Sequence, residues 1–235
     1  MNKTVNSLAT VCFLLFAAAP VWGRVYSIRP GGGSGRTRGG GRPEEVLNAK
    51  NVFTEPVTVN GVKAELKVGL VDMRLTDLLR LLKRDFPLAR FAANNTSLRL
   101  VLKGKNGGSR RLLLVCFGPR FPIIQFSLVL PRKLPTRFRW PDALPMTGDG
   151  VPVKYMYFPK RGAWYGFFKT ASEPDLALSE IGRRLAGSGW LAISGEAGRG
   201  RSSRGEIFMH KRPLRVMLVN FTKGFGTVYT RKIKP

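Results

Sequence analysis

Cysteine and histidine, on which many metal sites and activated nucleophiles depend, are nearly missing from this sequence. Its 235 residues include two cysteines and a single histidine, His210. Cys12 lies in an apolar N-terminal run, so Cys116 stands alone in the rest of the chain and no intramolecular disulfide framework is expected. A structural or catalytic metal needs several His, Cys, Asp or Glu ligands close together, and the 14 acidic residues are scattered. A nucleophilic thiol needs a base beside it, and His210 is far from Cys116 in sequence. Cys116 instead continues the apolar run Leu112-Leu113-Leu114-Val115, where a thiol reads as a small buried hydrophobe. The chain has no Gly-x-Ser-x-Gly elbow and no Walker loop. Asp72, Asp77, Glu173 and Asp175 flank two expected helix starts, where the helix dipole favours carboxylates, so capping accounts for them. The expectation is a protein that is not an enzyme, with no cofactor and no metal.

Negative charge is also scarce. Against the 14 acids stand 40 Lys and Arg, a formal net charge of +26. The hydrophobic fraction of 43% is too high for wholesale disorder. Outside the N-terminus no apolar run is long enough to cross a bilayer, so no integral span is expected after the leader is removed. Residues 1–23 read as a secretory signal peptide: Lys3 first, then an apolar run from Leu8 to Val21, then Val21 and Gly23 as small residues before Arg24. No small-residue lipobox precedes Cys12, which disfavours a lipid anchor. The expected location is secreted or periplasmic. Only Lys3 among the basic residues leaves with the leader, so the mature chain is a polycation.

Residues 24–50 are rich in glycine and arginine, offer little to bury, and read as a disordered tail. The rest suggests an α+β fold of two similar β-α-β-β-β units, each a sheet plus one helix. The first spans 51–131. In it a strand-like run at Lys63–Met73 precedes Leu75, Leu78, Leu79, Leu82 and Phe86, which form one helical stripe. Strands are expected at Leu98–Lys103, Arg111–Phe117 and Ile123–Leu130, with Asn106-Gly107-Gly108 as a hairpin signal. The second unit spans 161–235, with strands expected at Trp164–Thr170, Trp190–Ser194, Gly205–His210, Leu214–Phe221 and Gly226–Ile233. Its helix opens on Ser172-Glu173-Pro174-Asp175, carries Leu178, Ile181 and Leu185, and ends at Gly187 or Gly189. Gly69 and Gly166 precede the two helices, and Lys83-Arg84 matches Arg183-Arg184, a parallel consistent with internal duplication. Between the units, 132–160 reads as a proline-rich connector, because prolines are excluded from central strands. Leu134, Trp140 and Leu144 give it apolar groups to pack into a groove between the units.

The basic residues carry the functional signal. Arg199, Arg201 and Arg204 crowd a loop otherwise made of glycine and serine, and Arg110-Arg111 and Lys160-Arg161 fall at ends of expected strands. Strand-end loops of this kind form a positive rim that concentrates a polyanion. The reading is an exported, non-catalytic envelope protein that binds an acidic glycan, a lipid headgroup or DNA through Arg199, Arg201, Arg204, Arg110, Arg111, Lys160 and Arg161. The alternative is a structural module that docks with a protein assembly partner and whose charge is incidental. An enzyme of uncharacterised class comes third. Trp140, Trp164, Tyr155, Tyr157 and Tyr165 lie among basic residues, a pattern seen in stacking platforms but more often in cores.

Overall fold

A computed structural model describes residues 25–26, 49–85, 90–93, 96–103, 107–118, 122–193 and 203–233. They fall into two compact units: Val62–Leu134 together with the preceding chain to Pro56, and Pro135–Pro235 together with Val57–Gly61.

The first unit is an antiparallel sheet with one helix. Strands β1 (Val25–Tyr26), β2 (Lys50–Val59) and β3 (Val62–Val71) precede helix α1 (Leu75–Asp85). Strands β4 (Arg90–Ala93), β5 (Ser97–Lys103), β6 (Ser109–Val115) and β7 (Ile123–Leu130) follow it. The strand order is β1-β4-β5-β6-β7-β3-β2, so the last strand returns beside the strand that leads into the helix. Between β2 and β3, Asn60 and Gly61 take φ values of 48° and 81°. A two-residue hairpin turn of type I′ needs left-handed backbone at both positions, and Asn-Gly supplies it at least cost. Leu78 and Leu82, one helical turn apart, are fully buried on α1 against Val71, Leu98, Leu100, Leu112, Leu114 and Ile123. Leu75 and Leu79 pack at the margin of that cluster; Phe86 lies outside the described residues. Each leucine removed from water contributes about 1.5–3 kcal/mol.

The second unit contains β8 (Val151–Phe158), β9 (Ala163–Lys169) and helix α2 (Pro174–Ala186). Then come β10 (Trp190–Ala192), β11 (Ser203–Lys211), β12 (Leu214–Thr222) and β13 (Phe225–Lys232), in the order β8-β9-β13-β12-β11-β10. Thr58 and Val59, at the end of β2, pair with Tyr157 and Met156 of β8. Ala177, Ile181 and Leu185 of α2 are buried against Phe168, Phe208, Met217, Val219, Phe221 and Val228.

This overturns the expected α+β fold of two β-α-β-β-β units. The protein is dominated by antiparallel strands, with only two short helices among the described residues, and in each unit at least two strands come before the helix and four after it. The expected scheme omitted β2 and β8, and both contain a proline. Pro56 lies just before the two-residue ladder of β2 with β8, and Pro152 lies at an irregularity in the β8–β9 register, so neither interrupts a regular ladder there. β4 was also unforeseen, and so was β1, which pairs with β4 inside the stretch read as a tail. Residues 27–48, the rest of that tail, lie outside the described residues.

The proline-rich segment before β8 packs on the second unit's sheet. Its Trp140 and Leu144 lie over Gly166 of β9, and the Trp140 indole N–H donates to the Leu144 carbonyl at 2.7 Å. Glu180 of α2 accepts from the Gly148 N–H at 2.9 Å, and Arg184 donates to the Met146 carbonyl at 2.9 Å. The helix N-cap is Glu173, whose side chain makes no capping bond, and not Ser172. Asp149 serves that region from outside the helix. Its carboxylate accepts from the Thr170 hydroxyl at 2.8 Å and from the Ala171 and Ser172 N–H groups at 2.7 and 3.1 Å. The hydroxyls of Thr147 and Thr170, with those two backbone donors, hold the Asp149 carboxyl well below the usual carboxylate range.

Candidate anion-binding surfaces

Antiparallel pairing decides which basic residues meet. At one end of the second unit's sheet, the β8–β9 turn carries Lys160 and Arg161, and β13 finishes on Arg231 and Lys232. The register sets Arg231 opposite Ala163, and the Lys232 N–H donates to the Gly162 carbonyl at 3.4 Å. Arg215, at the start of β12, lies opposite Lys232, while Lys211 and Arg212 form the adjoining β11–β12 turn. Lys160, Lys211, Arg212, Arg215 and Lys232 are exposed; Arg161 and Arg231 are half-buried. No acidic residue occurs at residues 159–163, 209–215 or 230–233. Three of the unit's acids are paired elsewhere, Asp142 with Arg139, Glu180 with Arg184 and Asp175 with Arg204.

The predicted site residues are therefore divided. Lys160 and Arg161 lie in this rim. Arg204 does not: its guanidinium binds Asp175 in the first turn of α2, so it neutralises a helix-start carboxylate. Arg199 and Arg201 lie outside the described residues. Arg110 and Arg111 belong to the first unit and, as successive residues of β6, point to opposite faces of its sheet, so they form no joint patch. Arg215, Arg231 and Lys232 were missed. Their signal was a strand-end position, and only pairing between strands puts them beside Lys160 and Lys211.

A second basic feature lies on the first unit's sheet. Arg99 of β5 is opposite Leu113, and Arg111 of β6 is opposite Val101, so the two arginines are diagonal neighbours on one face. Burial lowers the pKa of both guanidinium groups, and the charge of Arg99 lowers that of Arg111 further.

The aromatic residues are mostly structural. Tyr165 is buried, Trp140 covers Gly166, and Trp164 stacks on Tyr157 with centroids 4.2 Å apart. The isolated reactive groups have local partners: the Cys116 thiol donates to the Gly118 carbonyl at 3.2 Å, and His210 packs on Trp190 with Nδ1 3.2 Å from the Pro213 carbonyl oxygen. Among the described residues no three His, Cys, Asp or Glu side chains are grouped to hold a metal, and no helix is long and apolar enough to cross a membrane. No known protein family, curated protein or solved structure matches this chain.

Proposed function

We propose that this is an exported, non-catalytic protein that binds an anionic polymer or surface, such as an acidic glycan, a lipid headgroup layer or DNA. The observation that carries the reading is the second unit's rim: Lys160, Arg161, Lys211, Arg212, Arg215 and Lys232 share one sheet end without an acid at those positions. Clustered like charge raises the potential there and draws polyanions from solution. Export rests on residues 1–23, and protein recovered outside the producing cytoplasm is expected to begin at Arg24. An intact Met1 in that fraction removes the export half of the proposal.

Binding is tested with heparin and duplex DNA over a salt series. The quadruple variant Lys160→Gln, Arg161→Gln, Lys211→Gln, Arg212→Gln is expected to weaken binding and flatten the salt slope by up to about four counterions on a duplex. A control with equal charge loss, Lys63→Gln, Arg74→Gln, Lys83→Gln and Lys103→Gln, is expected to lose less. Equal losses mean diffuse attraction and end the case for a rim.

One observation favours a docking module instead. Strand β10 ends the second unit's strand order with only three residues, and Leu191 and the following Ile193 are exposed. Apolar docking at this edge predicts partner binding that survives high salt, whereas polyanion binding does not.

A further inference from the structure

The half-buried arginines of the first unit have a chemistry of their own. Helix α1 covers one face of the β5–β6 pair through Leu98, Leu100, Leu112 and Leu114. Arg99 and Arg111 project from the other face, and the register surrounds them with apolar residues. Val101 lies across from Arg111 on one side and Leu128 on the other, while Leu113 lies across from Arg99. None of these positions supplies a counter-charge. Among the described residues neither arginine has an ion pair or a side-chain hydrogen bond. The Arg111 Nε has no accessible surface and no acceptor there.

Two desolvated guanidinium groups next to each other are a costly arrangement. Each loses part of its hydration, and each repels the other in a medium that screens less than water. The cost falls when a compact dianion sits between them. Guanidinium presents its N–H donors in a planar fork that matches the oxygen spacing of phosphate, and two forks satisfy a tetrahedral group from two sides. Partial burial strengthens those bonds relative to the same contacts on an open surface. Val101, 44% exposed beside Arg111, offers apolar contact to whatever carries the phosphate.

We propose that Arg99 and Arg111 form a binding site for the phosphate group of a phosphate monoester, on the sheet face of the first unit opposite α1, where Val101 is open to solvent. The site shares no residue with the basic rim of the second unit, so it stands or falls independently of polyanion binding.

The test uses the full mature chain. Inorganic phosphate is titrated against chloride at constant ionic strength, read by calorimetry and by melting temperature, for the wild type, Arg99→Met, Arg111→Met and the Lys counterpart of each. Phosphate is expected to raise the wild-type melting temperature, and each Met variant is expected to lose at least about tenfold in affinity, as for a lost charged hydrogen bond. Without phosphate, the Met variants are expected to melt at or above the wild type, because one of two repelling charges is gone. Should a Met variant fail to fold, its Lys variant keeps the charge but loses the fork, and the same affinity loss is expected. The rim variant is expected to keep the full phosphate response. A wild type that does not distinguish phosphate from chloride overturns the proposal, as does a response that survives in the folded Arg99 and Arg111 variants or disappears in the rim variant. Co-sedimentation with phosphatidylcholine vesicles, with and without phosphatidic acid, separates the sources. Sedimentation that requires both phosphatidic acid and the arginines assigns a lipid headgroup; a phosphate response without it assigns a soluble ester.

Discussion

A Cβ built on Gly166 would come within 2.7 Å of the Trp140 indole and 2.9 Å of Leu144 Cδ1. The tryptophan therefore rests on bare backbone at the middle of β9, and its ring meets Phe168 edge-on at 6.0 Å. In the first unit, Gly69 of β3 leaves similar room for the chain at residues 49–50, where a Cβ would approach the Lys50 carbonyl oxygen to 3.1 Å. Each glycine lies on the strand preceding a helix and admits a segment from an earlier part of the chain.

Gly166→Ala is therefore expected to push Trp140 and Leu144 off the sheet. Overpacking of this kind costs about 1–3 kcal/mol, measured by urea unfolding and by a change in tryptophan fluorescence. Unchanged stability would mean that the segment before β8 is not held where Trp140 places it.

Asp149→Asn is expected to lower the melting temperature at neutral pH, because the charged carboxylate gathers hydroxyl and backbone donors ahead of α2. The folded-state pKa is depressed, so the stabilisation is fully present above the unfolded value, about 4, and is lost as pH falls from there toward the folded value. The difference between wild type and variant is expected to shrink as acid is added below about pH 4. A difference that grows in acid would contradict this assignment.

Leu82→Ala and Ile181→Ala each truncate a fully buried side chain at a helix–sheet contact. Each is expected to cost about 2–5 kcal/mol in chemical denaturation. Leu79→Ala, at the margin of the α1 cluster, is expected to cost less than Leu82→Ala.

Arg204→Ser separates a structural arginine from an anion-binding one. Its partner Asp175 is largely exposed, so the stability loss is expected within about 1 kcal/mol. Heparin affinity is expected to fall no further than for any single exposed cation. A selective loss would return Arg204 to the binding surface.

Both helices were legible in the sequence. The stripes Leu75-Leu78-Leu79-Leu82 and Leu178-Ile181-Leu185 repeat with the helical period, and a proline sits at the start of α2. Strands β5, β6, β7, β9, β11, β12 and β13 were also visible as apolar runs between turn residues. β2 and β8 were not. Pro56 and Pro152 look like strand breakers until the pairing shows which backbone groups the ladder needs. The remote cap was hidden for a similar reason, since Asp149 and Ser172 are far apart in sequence and Ser172 matches the local cap pattern better.

By itself the sequence determined the charge, the scarcity of cysteine and histidine, and the position of each helix, because these depend on composition or on periodicity inside one element. Only the tertiary structure decided which cations meet. Arg215 and Lys232 are adjacent because β12 and β13 pair in one register, and Arg99 lies beside Arg111 through the register of β5 with β6. A shift of one residue in either ladder turns the shifted strand's side chains to the opposite face, and that choice is made by the packing of the whole sheet against its helix.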